Sequence, residues 1–131
     1  MLLRQMLNSK IHRATITAAD INYEGSITIP PDLILQAKMY PSESVHIWNV
    51  TAGTRFQTYI LEGLEGSNDI CVNGAAARLV SPGDKIIIAS FVMMPEADCQ
   101  RHQPTVVFVD DWNQIKEMRA EKLPDYDTVL S

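Results

Sequence analysis

Apolar positions recur along this chain with a period of two rather than 3.6. Ile11 to Thr17, Val45 to Val50, Phe56 to Leu61, Ile70 to Val72, Lys85 to Val92 and Thr105 to Val109 are short runs rich in β-branched and aromatic residues, the pattern of strands. Turn chemistry separates them at Thr51 to Thr54, Glu65 to Asp69, Asn73-Gly74 and Ser81-Pro82-Gly83-Asp84. Six or more short strands at this spacing predict a mainly β fold, a small barrel or sandwich with short helices. Asn73-Gly74 is expected to form a type I′ turn. The run from Lys85 to Val92 is apolar on both faces, so both are expected to be covered, which hints at subunit packing.

Three segments break the period. Pro30-Pro31-Asp32 followed by Leu33, Ile34 and Leu35 predicts a short helix with proline in its first turn. Ala18, Ala19 and Asp20 predict a brief helical turn. The tail from Asp110 reads as peripheral and tolerant of truncation, with a helix over Gln114 to Lys122 that Pro124 ends.

Size and charge narrow the function. The chain of 131 residues fits one domain, and a 46% hydrophobic share is ordinary for a globular protein. A net charge of −5 offers no general basic field for a nucleic-acid backbone. The apolar start Met1 to Leu7 is too short for a signal-peptide core, and no run is long enough to cross a bilayer. A cytoplasmic protein is expected. Cys71 and Cys99 are isolated and are read as reduced thiols. His46 and His102 lack partners at ligand spacing, so no metal site is expected.

The candidate chemistry centres on Ile21-Asn22-Tyr23-Glu24-Gly25-Ser26-Ile27. Alone, Gly25-Ser26 reads as an ordinary turn. Its companions are Lys10-Ile11-His12-Arg13, Trp48 to Thr51, Arg55-Phe56-Gln57-Thr58-Tyr59, Val72 to Ala77 and Ile88 to Val92. In this order and spacing, from about Leu3 to about Met94, the set closely resembles the bacterial aspartate 1-decarboxylases. Pro82-Gly83-Asp84 is similar to the Gly-Asp box of double-psi β-barrels, the fold of that family, which implies a six-stranded barrel.

The resemblance implies that the Gly25–Ser26 bond cleaves itself, giving a β chain of residues 1–25 and an α chain of residues 26–131 whose Ser26 has become a pyruvoyl group. It implies decarboxylation of L-aspartate to β-alanine and carbon dioxide through a Schiff base, in the pantothenate branch that leads to coenzyme A. The chemistry is coherent. Removing an α-carboxylate leaves a carbanion that needs an electron sink, and no pyridoxal-phosphate lysine or phosphate cradle is recognisable here. A pyruvoyl carbonyl would come from the chain itself.

The same resemblance distributes roles. Ser26 and Tyr59 are catalytic, Tyr59 as the proton donor, and Thr58 assists cleavage at Gly25. Lys10, Arg55, Thr58, Asn73, Gly74, Ala75 and Ala76 bind substrate, with Asn73 orienting the cofactor, and His12, Tyr23, Glu24 and Trp48 support the site. Without the resemblance, Lys10 and Arg55 would be solvated cations, Thr58 a strand threonine and His12 a structural histidine. Glycine at 25 is expected because it removes bulk and permits unusual backbone angles. Thr58 and Tyr59 cannot face the same way on a regular strand. Either that strand is irregular, or they serve different faces or subunits, which favours the family's homotetramer with sites between subunits. Cleavage is either spontaneous or assisted by a maturation helper protein. Cys71, beside Asn73, is expected to make the site sensitive to thiol reagents. The competing reading is a non-catalytic double-psi barrel that never cleaves.

Overall fold

The computed structural model describes residues 1–123. The protein is mainly β, and all six predicted runs form strands. They fall in β1 (Leu3–Thr15), β4 (Ser44–Asn49), β5 (Arg55–Glu62), β6 (Cys71–Asn73), β7 (Lys85–Pro95) and β8 (Thr105–Val109). Three further strands join them: β2 (Ala18–Asp20), β3 (Ser26–Ile29) and β9 (Ile115–Met118). Their order in the sheet is β2-β6-β3-β5-β4-β7-β1-β8-β9.

One core fills the inside of this curved sheet. Ile11, Ile27, Ile29, Val45, Ile47, Ile60, Val72, Ile86, Ile88 and Val107 are fully buried there. Each such side chain contributes about 1.5–3 kcal/mol on leaving water. The alternation is kept in β1 by bulges, one of them between His12 and Ala14 with Arg13 at φ +63°. That bulge lets Ala14 resume the inward face that Ile11 occupies. The Gly83-Asp84 turn fastens the end of β1. Gly83 donates its N–H to the Ile16 carbonyl at 2.7 Å, and Ile16 donates to the Asp84 carbonyl at 3.0 Å. Asp84 Oδ2 also accepts from Asn49 Nδ2 at 2.8 Å.

The expected proline-led helix is present as α1 (Pro31–Gln36), which buries Leu33 and Ile34. A second short helix, α2 (Glu96–Cys99), follows β7. Other local expectations are corrected. Ala18, Ala19 and Asp20 form strand β2, paired in parallel with Cys71, Val72 and Asn73, because an open ladder on β6 outweighs the weak helical preference of two alanines. Asn73-Gly74 is no I′ turn, which needs two residues at positive φ. Asn73 is extended, and Gly74 opens a 3-10 helix, Gly74–Leu79.

The expected helix from Gln114 is instead β9, antiparallel to β8. Asp110 Oδ1 accepts from the backbone N–H groups of Trp112 and Gln114, and Asn113 adopts φ +61°. That turn sends the chain back along β8, and pairing overrides propensity. Pro124 lies outside the described residues. On β7, Ile86, Ile88, Ala89 and Ser90 are buried, but Ile87 and Phe91 stay half-buried on the outer face of the single chain.

Candidate active site

Ser26 begins β3, the strand between β6 and β5. Antiparallel pairing sets Ser26 opposite Asn73 and Thr28 opposite Cys71. Ser26 is fully buried. Its Oγ donates to the Glu24 carbonyl at 3.1 Å and accepts from Asn73 Nδ2 at 3.0 Å. Asn73 Nδ2 also donates to Thr28 Oγ1 at 3.2 Å, and Asn73 Oδ1 accepts from the Cys71 thiol at 3.1 Å. Both ends of the amide are therefore engaged, and its orientation is set by three partners. The sequence reading of Cys71 is a thiol beside Asn73 that makes the site sensitive to thiol reagents, and the structure gives it a contact there. Its role as an anchor for Asn73 comes from both residues facing the same way two positions apart on β6.

The turn ahead of Ser26 is held by Asp20, whose Oδ1 accepts from the Asn22 N–H at 3.0 Å. Tyr23 and Glu24 are exposed beside the Gly25–Ser26 bond. The expected demand for glycine at 25 is corrected. Gly25 does not adopt a left-handed φ, and a Cβ there would meet nothing within 4 Å. Gly74 carries the demand. Its φ is +77°, and a Cβ would stand 2.6 Å from Gly25 Cα and 2.8 Å from Gly25 N. The 3-10 helix therefore packs its first backbone atoms directly against the Gly25 backbone, with Ala75 exposed and Ala76 half-buried against the core.

Thr58 and Tyr59 lie on the strand beside this bond, since Ile60 pairs in parallel with Ile27. The strand is regular, with no register shift from Arg55 to Tyr59. Tyr59 and Ser26 each precede a buried isoleucine of that pair by one residue, so alternation gives them the same side of the sheet. Thr58, half-buried and opposite Val45, takes the other side.

The remaining expected residues form a separate group. Pairing aligns Arg55, Trp48, Ile87, His12 and Phe108 in one row across β5, β4, β7, β1 and β8. The next row runs Gln57, His46, Ala89, Lys10 and Val106. These residues share the outer face. The Arg55 guanidinium lies 5.5 Å from the Trp48 ring centroid, and Phe91 meets His46 edge-on at 5.0 Å. His12 packs against Phe108 at 5.2 Å. Burial, then the charges of Lys10 and Arg13, hold the His12 imidazole below its usual pKa, with Glu121 opposing.

Lys10 sits on β1, four strand steps from β3 in the sheet order, a path of about 19 Å measured along the curved sheet. A lysine side chain reaches only about 6 Å from its Cα. Within one chain, then, Ser26, Asn73, Gly74 and Tyr59 come together, while Lys10, His12 and Trp48 stand apart from them. A surface cleft of about 730 Å³ belongs to neither group. Asp32, Glu62 and Glu65 line it, so it would repel an anionic substrate.

The family description "Aspartate decarboxylase" matches residues 2–116 of this chain. A protein of Legionella pneumophila (strain Lens) named aspartate 1-decarboxylase is 60% identical over 123 residues, covering 94% of this chain and 92% of its own length. Proteins of the same name from Rhodopirellula baltica and Myxococcus xanthus are 58% and 50% identical; they cover 90% and 92% of this chain and 76% and 93% of their own lengths. With a fully buried Ser26 after Gly25 and this agreement along nearly all its length, the chain belongs to the aspartate decarboxylase family of enzymes.

Proposed function

We infer that this protein decarboxylates L-aspartate to β-alanine and carbon dioxide after cutting itself between Gly25 and Ser26. The observation that carries the reading is the buried Ser26 hydroxyl, gripped by Asn73 Nδ2 at 3.0 Å, with the Gly74 backbone pressed against Gly25. An ordinary turn serine needs neither burial nor a dedicated amide partner.

The cleavage chemistry uses the chain's own atoms. Ser26 Oγ attacks the Gly25 carbonyl carbon, the C–N bond breaks, and an ester to Oγ replaces the amide while Ser26 keeps a free amine. Loss of the Ser26 Cα proton then expels Gly25 as a carboxylate, and water replaces the nitrogen as ammonia to leave a ketone. Glu24 presents its carbonyl to the hydroxyl proton, and Asn73 holds the oxygen in place. The residues fit the resulting group. Asn73 Nδ2 is a donor already aimed at residue 26, and no side chain of 74 intrudes. A pyruvoyl group at residue 26 would supply the carbonyl that joins the substrate amine and accepts the electrons of decarboxylation.

Aspartate carries two carboxylates, which suit the planar fork of Arg55 and the point charge of Lys10. Tyr59, on the Ser26 side of β5, is the acid that protonates the carbon that has lost its carboxylate. Because Lys10 and His12 lie four strands from Ser26 in the sheet, the site is completed by a second copy of the chain. The half-buried outer-face residues His46, Trp48, Ile87 and Phe91 are the surface by which copies meet in a homotetramer. The product, β-alanine, assigns the enzyme to pantothenate and coenzyme A synthesis in the cytoplasm.

Intact mass under denaturing conditions tests the reading. Fragments 1–25 and 26–131 are expected, the larger one lighter by one ammonia than a serine-started chain. A single full-length species that persists after adding a lysate of the source organism would overturn it.

A further inference from the structure

Beyond β9 the chain crosses the outer face of β8 toward β1. Arg119 donates its N–H to the Val106 carbonyl at 3.3 Å, and its guanidinium lies 4.1 Å from the Phe108 ring centroid. Two residues on, Glu121 Oε1 stands 2.8 Å from Lys10 Nζ. The Lys10 side chain is only 14% exposed, and Glu121 is one of the residues that enclose it. A small cleft of about 170 Å³ remains between Lys10, His12 and the segment 119–122.

We propose that Glu121 is a built-in competitor for the substrate carboxylate at Lys10, and that the segment 119–122 is a strap that opens when substrate binds. The inference rests on the reading of Lys10 as a substrate cation. Two independent features carry it. The first is chemical: Glu121 presents to Lys10 the group the substrate presents, a carboxylate on a flexible methylene chain. The second is mechanical. All four residues of β9 are exposed, and among the described residues the strand pairs only with β8, at the edge of the sheet. Among the described residues, the strap beyond β9 is held by the Arg119–Val106 backbone hydrogen bond, the cation–π contact with Phe108 and the Arg119–Glu117 ion pair, so opening it uncovers only the outer-face side chains Val106 and Phe108 and leaves the inner core closed. Glu121 itself is half exposed, which keeps the ion pair weak enough for a ligand to replace.

A half-exposed pair of this kind reduces substrate affinity by about two- to five-fold. Glu121→Gln in the full-length, processed enzyme is therefore expected to lower KM for aspartate by that factor, the effect falling on KM rather than kcat. In a Lys10→Gln background, where KM is already raised, Glu121→Gln is expected to change nothing further. Hydrogen exchange gives a readout free of catalysis: succinate, a dicarboxylate without the reacting amine, should speed exchange of the Arg119 amide in the wild type. If Lys10→Gln raises KM but Glu121→Gln leaves it unchanged or raises it, the strap is overturned and the substrate role of Lys10 survives. If Lys10→Gln leaves KM unchanged, both fail. Unchanged protection of Arg119 in saturating succinate would also overturn the strap.

Discussion

Gly74 lies so close to Gly25 that a single methyl group on it would stand 2.6 Å from the Gly25 Cα. The two glycines have opposite needs. Position 74 combines that contact with φ +77°, whereas position 25 has neither crowding within 4 Å nor a left-handed backbone. Gly74→Ala is expected to cost about 2 kcal/mol in stability from its backbone angle alone, and to slow self-cleavage by displacing residue 25. Gly25→Ala should fold with nearly the wild-type melting temperature. Thermal unfolding, with the fraction of the 26–131 fragment followed over time, checks both. Equal melting temperatures for the two variants would contradict this account.

Asn73 is the one side chain that joins Ser26, Thr28 and Cys71. Asn73→Ala leaves the buried Ser26 hydroxyl without its donor, at a cost of about 1–3 kcal/mol. Loss of orientation at a reacting atom should slow cleavage on the order of 100-fold. Time-resolved intact mass of freshly made protein measures this. Cleavage at the wild-type rate would remove Asn73 from the processing step.

Cys71 should react slowly with alkylating reagents, although its neighbour is a site residue. Burial, then the charges of Asp20 and Asp69, push its thiol above the usual value, so little thiolate is present near neutral pH. Iodoacetamide at pH 8 is expected to label Cys71 more slowly in the folded protein than in urea at the same pH. Once labelled, the thiol can no longer donate to Asn73, and cleavage or turnover should fall. Full activity after labelling would show that this anchor is dispensable.

Much of the architecture could be read from residue pattern because it is set locally. Val45 to Val50 and Phe56 to Leu61 alternate cleanly, and they form β4 and β5 with the expected faces. The opposite orientations of Thr58 and Tyr59 follow from the same alternation. β2 is not legible in the pattern, since three residues at Ala18 to Asp20 carry too little of it to outweigh an alanine pair. β9 was hidden for a related reason: its four residues are all exposed and owe their strand to pairing with β8. The distance between Lys10 and Ser26 is a property of strand order, and no local pattern encodes it. The same is true of Glu121 on Lys10, a contact between residues at the two ends of the described chain.

His12 makes stability depend on pH in a definite direction. Its folded-state pKa lies below the ordinary 6.5, chiefly through burial and then through Lys10 and Arg13. The unfolded chain therefore binds a proton more readily, and the stabilisation from neutral His12 is fully present above pH 6.5. It is lost as pH falls through the lowered folded value. Denaturant unfolding between pH 7.5 and 5 should show stability declining, and His12→Gln should flatten that decline. An unchanged slope in the variant would assign the pH dependence to other groups.

The separation of Lys10 from Ser26 also predicts complementation between defective chains. Ser26→Ala cannot form the reactive group and should be inactive, and Lys10→Ala lacks a substrate cation, so its raised KM leaves it nearly inactive at aspartate concentrations near the wild-type KM. If Ser26 of one copy works with Lys10 of another, co-expression yields some sites that draw an intact Ser26 from one variant and an intact Lys10 from the other. Random mixing makes about a quarter of sites intact in this way. Activity of the co-expressed mixture, per total chain, should approach that fraction of wild type, while separately purified variants mixed without subunit exchange should stay inactive. A site contained within one chain gives a different result. No mixed assembly then holds both intact residues in one place, and co-expression recovers nothing.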